Sequence, residues 1–174
     1  QPKEWGAFLV IGNSKISDTV FTKKNEALGF AYDIAQLNNK IYTLHPRRVG
    51  VWDKKLKFMG TKKITSDVPK NKIKDLRFIN QNDLSYLELT DETLSYFKFN
   101  RDTTKYDACT QPLKTFGYKS FKNGEINSIA EDDDAIYITF SRDGESIFSI
   151  IKIHRNNMCQ WDWINRNAYL FGNA

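Results

Sequence analysis

The chain reads Ala135-Ile136-Tyr137-Ile138-Thr139-Phe140, then Ser141-Arg142-Asp143-Gly144-Glu145, and returns through residues 146–153 as Ser-Ile-Phe-Ser-Ile-Ile-Lys-Ile. β-Branched and aromatic residues near a period of two favour strands, and Asp-Gly is a strong signal for a tight hairpin turn. The stretch therefore predicts an antiparallel hairpin with its turn at Asp143-Gly144.

The same pattern recurs twice toward the N-terminus. Residues 41–52 alternate around His45-Pro46-Arg47-Arg48, and residues 84–99 alternate around Thr90-Asp91-Glu92. A shorter apolar run and a polar turn precede each of the three hairpins, over residues 34–40, 73–83 and 126–134. One unit of three strands therefore occurs three times, and residues 7–21 predict a fourth hairpin at the N-terminus.

The spacing of the units points to an architecture. Their central turns fall near residues 46, 91 and 143, and repeats of roughly 40–50 residues with three or four strands are typical of β-propeller blades. We predict an all-β fold, with antiparallel meanders in a small propeller-like arrangement. A β-sandwich or barrel is the main alternative, and an α+β fold is a third. A length of 174 residues predicts a single domain over residues 1–174.

Two connections and one closing strand complete the predicted fold. Residues 61–74 and 100–124 are expected to be the long loops, since they are polar or hold proline. Residues 161–171 have strand-like composition, and we expect them to pair with the N-terminal strand and remove an exposed edge.

Cysteine usage bears on the compartment. Cys109 and Cys159 are the only two cysteines and lie outside any C-x-x-C motif, so they are expected to form one disulfide; two buried thiols or one reactive thiol are the alternatives. A disulfide implies an oxidising compartment. The first residues, Gln1-Pro2, would suit a mature chain after signal-peptide removal as well as a trimmed one. The sequence has no Asn-x-Ser/Thr sequon, which favours the periplasm among periplasmic or secreted locations.

Motifs for catalysis, metals and cofactors are not found in the sequence. It holds no Gly-x-Ser-x-Gly elbow and no glycine-rich phosphate-binding loop. Its two histidines, His45 and His154, follow strands and are expected to be surface imidazoles. The acidic run Glu131-Asp132-Asp133-Asp134 lacks the alternate spacing of a calcium loop and predicts a solvated turn. We therefore expect no enzyme activity, no catalytic residue, no cofactor and no metal site.

Charge is distributed unevenly along the chain. Residues 47–77 hold eleven basic and three acidic side chains, a net charge of +8, while the whole chain carries +5. This bias is typical of a solvated outer strand and loop, or of a surface that attracts an acidic partner. Such a partner could be an acidic-surfaced enzyme or an anionic glycan. Nucleic acid is not expected, because no aromatic and basic recognition module is present.

Tryptophans are the second set of candidate contact residues. Trp161 and Trp163 lie two apart and would share one face of a strand, and Trp52 ends a strand beside basic residues. They are interpreted either as core residues or as exposed anchors for a protein or a sugar. The predicted contact residues are Arg47, Arg48, Trp52, Lys54, Trp161 and Trp163.

A function hypothesis follows from these features. No window of the sequence is long and apolar enough to span a membrane. A small all-β scaffold with polarised charge and clustered aromatics suggests a non-catalytic extracytoplasmic binding protein that occupies a macromolecule. Its most concrete form is an inhibitor or immunity-type protein that blocks a secreted enzyme. A carbohydrate-binding, lectin-like module and a secreted hydrolase are the alternatives.

Overall fold

The computed structural model describes residues 8–13, 16–21, 31–64, 66, 68–79, 84–116, 125–142 and 145–169. Within them the chain is almost entirely β-strand, with two single-turn 3-10 helices and no α-helix. The strands are β1 (Phe8–Asn13), β2 (Ile16–Phe21), β3 (Asp33–Leu37), β4 (Lys40–His45), β5 (Arg48–Asp53), β6 (Phe58–Lys63), β7 (Ile73–Phe78), β8 (Tyr86–Thr90), β9 (Thr93–Asn100), β10 (Lys105–Pro112), β11 (Glu125–Glu131), β12 (Ala135–Arg142), β13 (Glu145–His154) and β14 (Trp161–Tyr169). The 3-10 helices are Lys70–Lys72 and Leu113–Phe116.

The strands form one two-stranded hairpin and three four-stranded antiparallel meanders. β1 pairs with β2, and the first sheet is β3 to β6, the second sheet β7 to β10 and the third sheet β11 to β14. None of these sheets closes into a barrel in the described part of the chain. The all-β prediction is therefore confirmed, and so is the N-terminal hairpin.

Turn chemistry explains the hairpin between β3 and β4. Asn38 and Asn39 connect the strands with φ angles of 49° and 59°. Two successive left-handed residues match the twist of a two-residue hairpin, and asparagine tolerates that conformation better than most residues. The polar turn seen in the sequence thus fixes the register in which Leu37 pairs with Lys40.

Successive sheets contact each other near their first strands. β3 and β4 contact β7, and β7 contacts β11. One buried cluster, including Leu44, Val49 and Tyr86, lies between the first and second sheets. A second cluster, including Leu89 and Ile138, lies between the second and third sheets. Each pair of successive sheets therefore buries apolar side chains of both sheets in one shared cluster.

Three details of the predicted fold are wrong. Each unit has four strands, because residues 58–63 form β6 and the expected loop over residues 100–124 contains β10. The C-terminal strand β14 pairs with β13 and not with the N-terminal strand. Exposed, polar outer strands carry a weak apolar signal, which is why sequence patterning missed them. The predicted turn residues Asp143 and Gly144 lie outside the described residues.

Polar crosslinks and one disulfide join the sheets. Asp33 Oδ2 accepts a hydrogen bond from Phe78 N at 2.8 Å, and Asp75 Oδ2 accepts one from Ile126 N at 3.0 Å. Cys109 in β10 is bonded to Cys159 in the turn between β13 and β14, with Cα atoms 5.4 Å apart. The disulfide prediction is confirmed, and the bond ties the outer edge of the second sheet to the third.

Candidate functional site

Arg47, the first predicted contact residue, makes its hydrogen bonds within the protein. It lies in the turn between β4 and β5 with a φ of 64°. Its Nε and Nη2 atoms donate to the carbonyl oxygen of Val68 at 3.0 and 2.6 Å. The guanidinium thus fastens the linker between β6 and β7 to this turn.

Trp52 is a core residue, in agreement with the first of its two interpretations. Its side chain is only 3% exposed, and its ring meets Phe58 edge to face with centroids 5.0 Å apart. Its indole Nε1 donates to Thr43 Oγ1 at 2.9 Å. A Cβ at Gly50 would lie 2.5 Å from Thr43 Oγ1, so only glycine lets this bond form without displacement. Trp52 therefore offers no exposed ring to a partner.

Arg48 and Lys54 do not form one surface. They stand at opposite ends of the hairpin of β5 and β6, six positions apart, which at roughly 3.3 Å per residue places them about 20 Å from each other. Arg48 pairs in register with Lys63 at one end. Lys54 lies in the exposed turn at the other end, beside Lys55 and Lys57.

Trp161 and Trp163 face the core of the third sheet. They pair in register with Ile153 and Ile151, both fully buried. Both tryptophans are half-buried and pack against the cluster between the second and third sheets. The indole Nε1 of Trp161 also donates to Met158 O at 2.7 Å. These two rings are therefore only partly accessible to a ligand.

A basic surface nevertheless forms around Arg48. We define the basic end as Arg48, Lys63, Lys70 and Lys72. Lys63 is exposed at the end of β6, and Lys70 and Lys72 are exposed on the 3-10 helix that follows Val68. The Arg47 bond to Val68 brings that linker beside the turn between β4 and β5. Sequence reasoning recognised the basic stretch but did not single out these lysines, since the contact at Val68 is tertiary.

Lys74 differs from its basic neighbours because it is already paired. Its Nζ lies 3.3 Å from Asp91 Oδ2 in the turn between β8 and β9. The three exposed lysines of the basic end have no acidic partner in the described residues. Their charge is therefore not cancelled locally.

A buried carboxylate lies behind the basic end. Glu88 in β8 is 1% exposed, and its two oxygens accept from Ser66 Oγ at 3.1 and 3.3 Å. Burial raises the pKa of Glu88, while the Ser66 hydroxyl and the charge of Arg47 act in the opposite direction. Glu88 thus anchors the linker from the inside, and Arg47 anchors it from the turn.

The two histidines occupy different environments. His45 is 4% exposed and its Nε2 lies 2.9 Å from Thr43 Oγ1, so the prediction of a surface imidazole is wrong for this residue. Thr43 serves both His45 and Trp52, a buried polar network that a strand-end position does not reveal. His154 is half-buried, and its Nε2 lies 2.6 Å from Asp162 Oδ2.

The acidic run forms an exposed turn between β11 and β12, as predicted. Asp132 Oδ1 accepts from the backbone nitrogens of Asp134 and Ala135, and its Oδ2 accepts from the Tyr137 hydroxyl at 2.9 Å. These bonds, the one from Tyr137 first, lower the pKa of Asp132. No group of three or more metal-ligating side chains is found in the described part of the chain.

The chain shows no significant similarity to known families or curated proteins. No protein-family model matches the chain, and no curated protein shows a significant match to it. Among the residues that the structure describes, no helix is both long and apolar enough to cross a membrane. The geometry offers a fixed cationic surface, and this can act chemically by attracting and holding negative charge.

Proposed function

We propose that this protein is a non-catalytic, extracytoplasmic binding protein whose basic end occupies an acidic surface on a partner protein. Its most concrete form is an inhibitor or immunity-type protein that blocks a secreted enzyme. The observation that carries the proposal is the set of three exposed lysines, Lys63, Lys70 and Lys72, which have no acidic partner in the described residues.

The placement of Lys63 adds an electrostatic argument. Lys63 stands directly opposite Arg48 in the register of β5 and β6. This register places two basic side chains next to each other on the basic end. Opposed potentials also steer encounter and raise association rates at low salt.

Rigidity of the linker supports recognition of a protein. Arg47 donates to Val68 of the linker, and Ser66 of the linker donates to Glu88. Lys70 and Lys72 therefore follow a segment that is held at two points. Preorganised contact residues lose less conformational entropy on binding. A fixed pattern of cations suits a folded acidic surface better than a flexible polyanion.

The disulfide supports an oxidising compartment, periplasmic or secreted, as the place of action. The non-catalytic part of the proposal is supported by the structural roles of the titratable groups. Asp75 accepts a backbone hydrogen bond from Ile126, and Glu88 accepts one from the Ser66 hydroxyl.

Charge reversal at the two ends of the hairpin tests the proposal. The triple variant K63E/K70E/K72E changes the basic end, and K54E/K55E/K57E makes the same charge change at the opposite end of β5 and β6. The full chain is immobilised to capture partners from periplasmic and culture extracts at low salt. We expect a 1:1 complex whose affinity falls by about 3- to 150-fold in the first variant, since three rim charges contribute roughly 0.2–1 kcal/mol each.

The control variant is expected to bind as the wild type does. Equal loss in both variants would show a nonspecific charge effect and contradict the proposal. Retention on heparin that depends on Lys63, Lys70 and Lys72, without any captured protein, would assign the surface to an anionic glycan instead. Conversion of substrate by the chain itself would contradict the non-catalytic assignment.

A further inference from the structure

One face of each sheet points away from the preceding sheet along the chain, and on the third sheet this face is more polar than on the other two. In the first and second sheets, the register pairs on this face are apolar and pack against the next sheet: Tyr42 with Val51, Leu44 with Val49, Leu87 with Tyr96 and Leu89 with Leu94. The corresponding pairs of the third sheet are Tyr137 with Lys152 and Thr139 with Ile150. We call this the outward face of the third sheet.

Polar residues on the outward face distinguish it from the apolar faces that the first and second sheets turn to the next sheet. Thr139 stands where the other sheets have leucine, and Lys152 stands where they have valine or tyrosine. Burying the Lys152 ammonium under a sheet without a partner would be strongly unfavourable. Lys152 instead extends over the Tyr137 ring, 6.0 Å from its centroid, and pairs in register with exposed Asp162. The composition of this face therefore suits contact with water or a polar ligand.

A groove of about 280 Å³ opens at the end of the outward face, with room for a single sugar ring. It lies between the turn that joins β11 to β12 and the turn that joins β13 to β14. Its lining residues are Asp133, Asp134, Lys152, His154, Arg155 and Asn156.

The two sides of the groove are held together by Arg155. Its Nε donates to Asp132 O at 2.7 Å, its Nη2 pairs with Glu131, and its backbone nitrogen donates to Asp134 O at 2.9 Å. The two turns are thus fixed relative to each other before any ligand arrives. A groove with fixed walls requires little ordering on binding.

The lining combines hydrogen-bond acceptors and donors. The carboxylates of Asp133 and Asp134 accept from no donor in the described residues, whereas Lys152 and Asn156 supply N–H groups. A simple cation would meet Lys152 and Arg155, and a simple anion would meet the two aspartates. A neutral polyol is repelled by neither set of charges. Its hydroxyls can donate to the carboxylates and accept from the ammonium and the amide.

We propose that this groove binds one ring of a neutral saccharide, with Asp133 and Asp134 as acceptors and Lys152 and Asn156 as donors. The site is separate from the basic end. It also differs from a tryptophan-based sugar site, since Trp161 and Trp163 lie on the opposite face of the sheet.

Titration of neutral mono- and oligosaccharides into the ¹⁵N-labelled full chain tests the proposal. We expect saturable amide shifts confined to residues 132–134, 137 and 152–156. The variants D134N and K152M should each bind about tenfold more weakly, because D134N replaces a charged acceptor with a neutral one and K152M removes a charged donor. D134N keeps the size of the side chain, and an unchanged spectrum elsewhere shows that it is folded.

Variants separate this proposal from the one made for the basic end. K63E/K70E/K72E should bind the saccharide as the wild type does, whatever its effect on a protein partner. Absence of saturable shifts across the panel would overturn the saccharide proposal. So would shifts centred on residues 161–163, binding only by anionic saccharides, or unchanged affinity in both D134N and K152M.

Discussion

At the scale of single residues, buried polar groups organise the surface that carries the proposed function. Glu88 and Ser66 hold the linker from within, and Arg47 reaches Val68 from the neighbouring turn. None of these groups belongs to the exposed set of lysines. Their role is to position Lys70 and Lys72, so the interior determines where the outer charges stand.

Glu88 makes stability depend on pH in a defined direction. Burial raises its pKa above the ordinary 4.5, so the folded state binds the proton more tightly than the unfolded state. Its contribution is fully present below the unfolded pKa and is lost as pH rises through the folded value. We expect the free energy of unfolding of the wild type, relative to E88Q, to fall between pH 4 and pH 7.

Urea denaturation of both proteins across this pH range provides the measurement. The matched control is E92Q, which makes the same substitution at an exposed glutamate in the turn between β8 and β9. A wild type that gains stability over E88Q as pH rises would show that the attraction of Arg47 outweighs burial.

At the scale of elements, the sheets are joined by side chains that reach backbone groups of the next sheet. Asp75 in β7 binds the nitrogen of Ile126 in β11, and both residues are buried. Arg77 Nε also donates to Asp75, at 3.1 Å. The first strand of the second sheet, β7, therefore fixes the position of the first strand of the third sheet, β11.

Loss of the Asp75 carboxylate should weaken this junction. D75A leaves the buried Ile126 N–H without its acceptor, and a buried group of this kind costs about 1–3 kcal/mol. We expect the free energy of unfolding, measured by chemical denaturation, to fall by that amount. D107A removes an exposed carboxylate of β10 and should stay within about 0.5 kcal/mol of the wild type. Equal effects in the two variants would argue against the crosslink.

At the scale of the whole molecule, apolar packing, a disulfide and hydrogen bonds hold the second and third sheets together. Apolar side chains form the cluster that contains Leu89 and Ile138, and the disulfide spans the rim. Gln111 Nε2 adds a bond to Cys159 O at 3.4 Å. The hydrophobic cluster packs the centres of the two sheets together, and the disulfide limits the distance between the two sheets at their edge.

Removing the disulfide should destabilise the protein by about 4 kcal/mol, because the bond closes a loop of 50 residues in the unfolded chain. The double variant C109S/C159S tests this by urea denaturation against the oxidised wild type. Wild type that has been reduced and alkylated serves as a second comparison and should lose a similar amount. A difference below about 1 kcal/mol would mean that the unfolded chain gains little freedom when the bond is absent.

The secondary structure was readable in the sequence wherever apolar residues alternate inside the sheets. The hairpins around residues 46 and 91 follow from local alternation and turn chemistry, both of which act between near neighbours. Outer strands β6 and β10 were not readable in this way. Their side chains face water on much of their surface, so their pairing depends on a neighbouring strand and not on their own pattern.

The sequence by itself determined the all-β class, the meander repeats and the two cysteines able to pair, because strand periodicity and composition are local properties. The tertiary structure alone decided which side chains are exposed. It buried Trp52 and His45 around Thr43, turned Arg47 inward to Val68, and left Lys63, Lys70 and Lys72 outside. Exposure depends on what the neighbouring sheet and linker cover, and that information is spread over residues far apart in the chain.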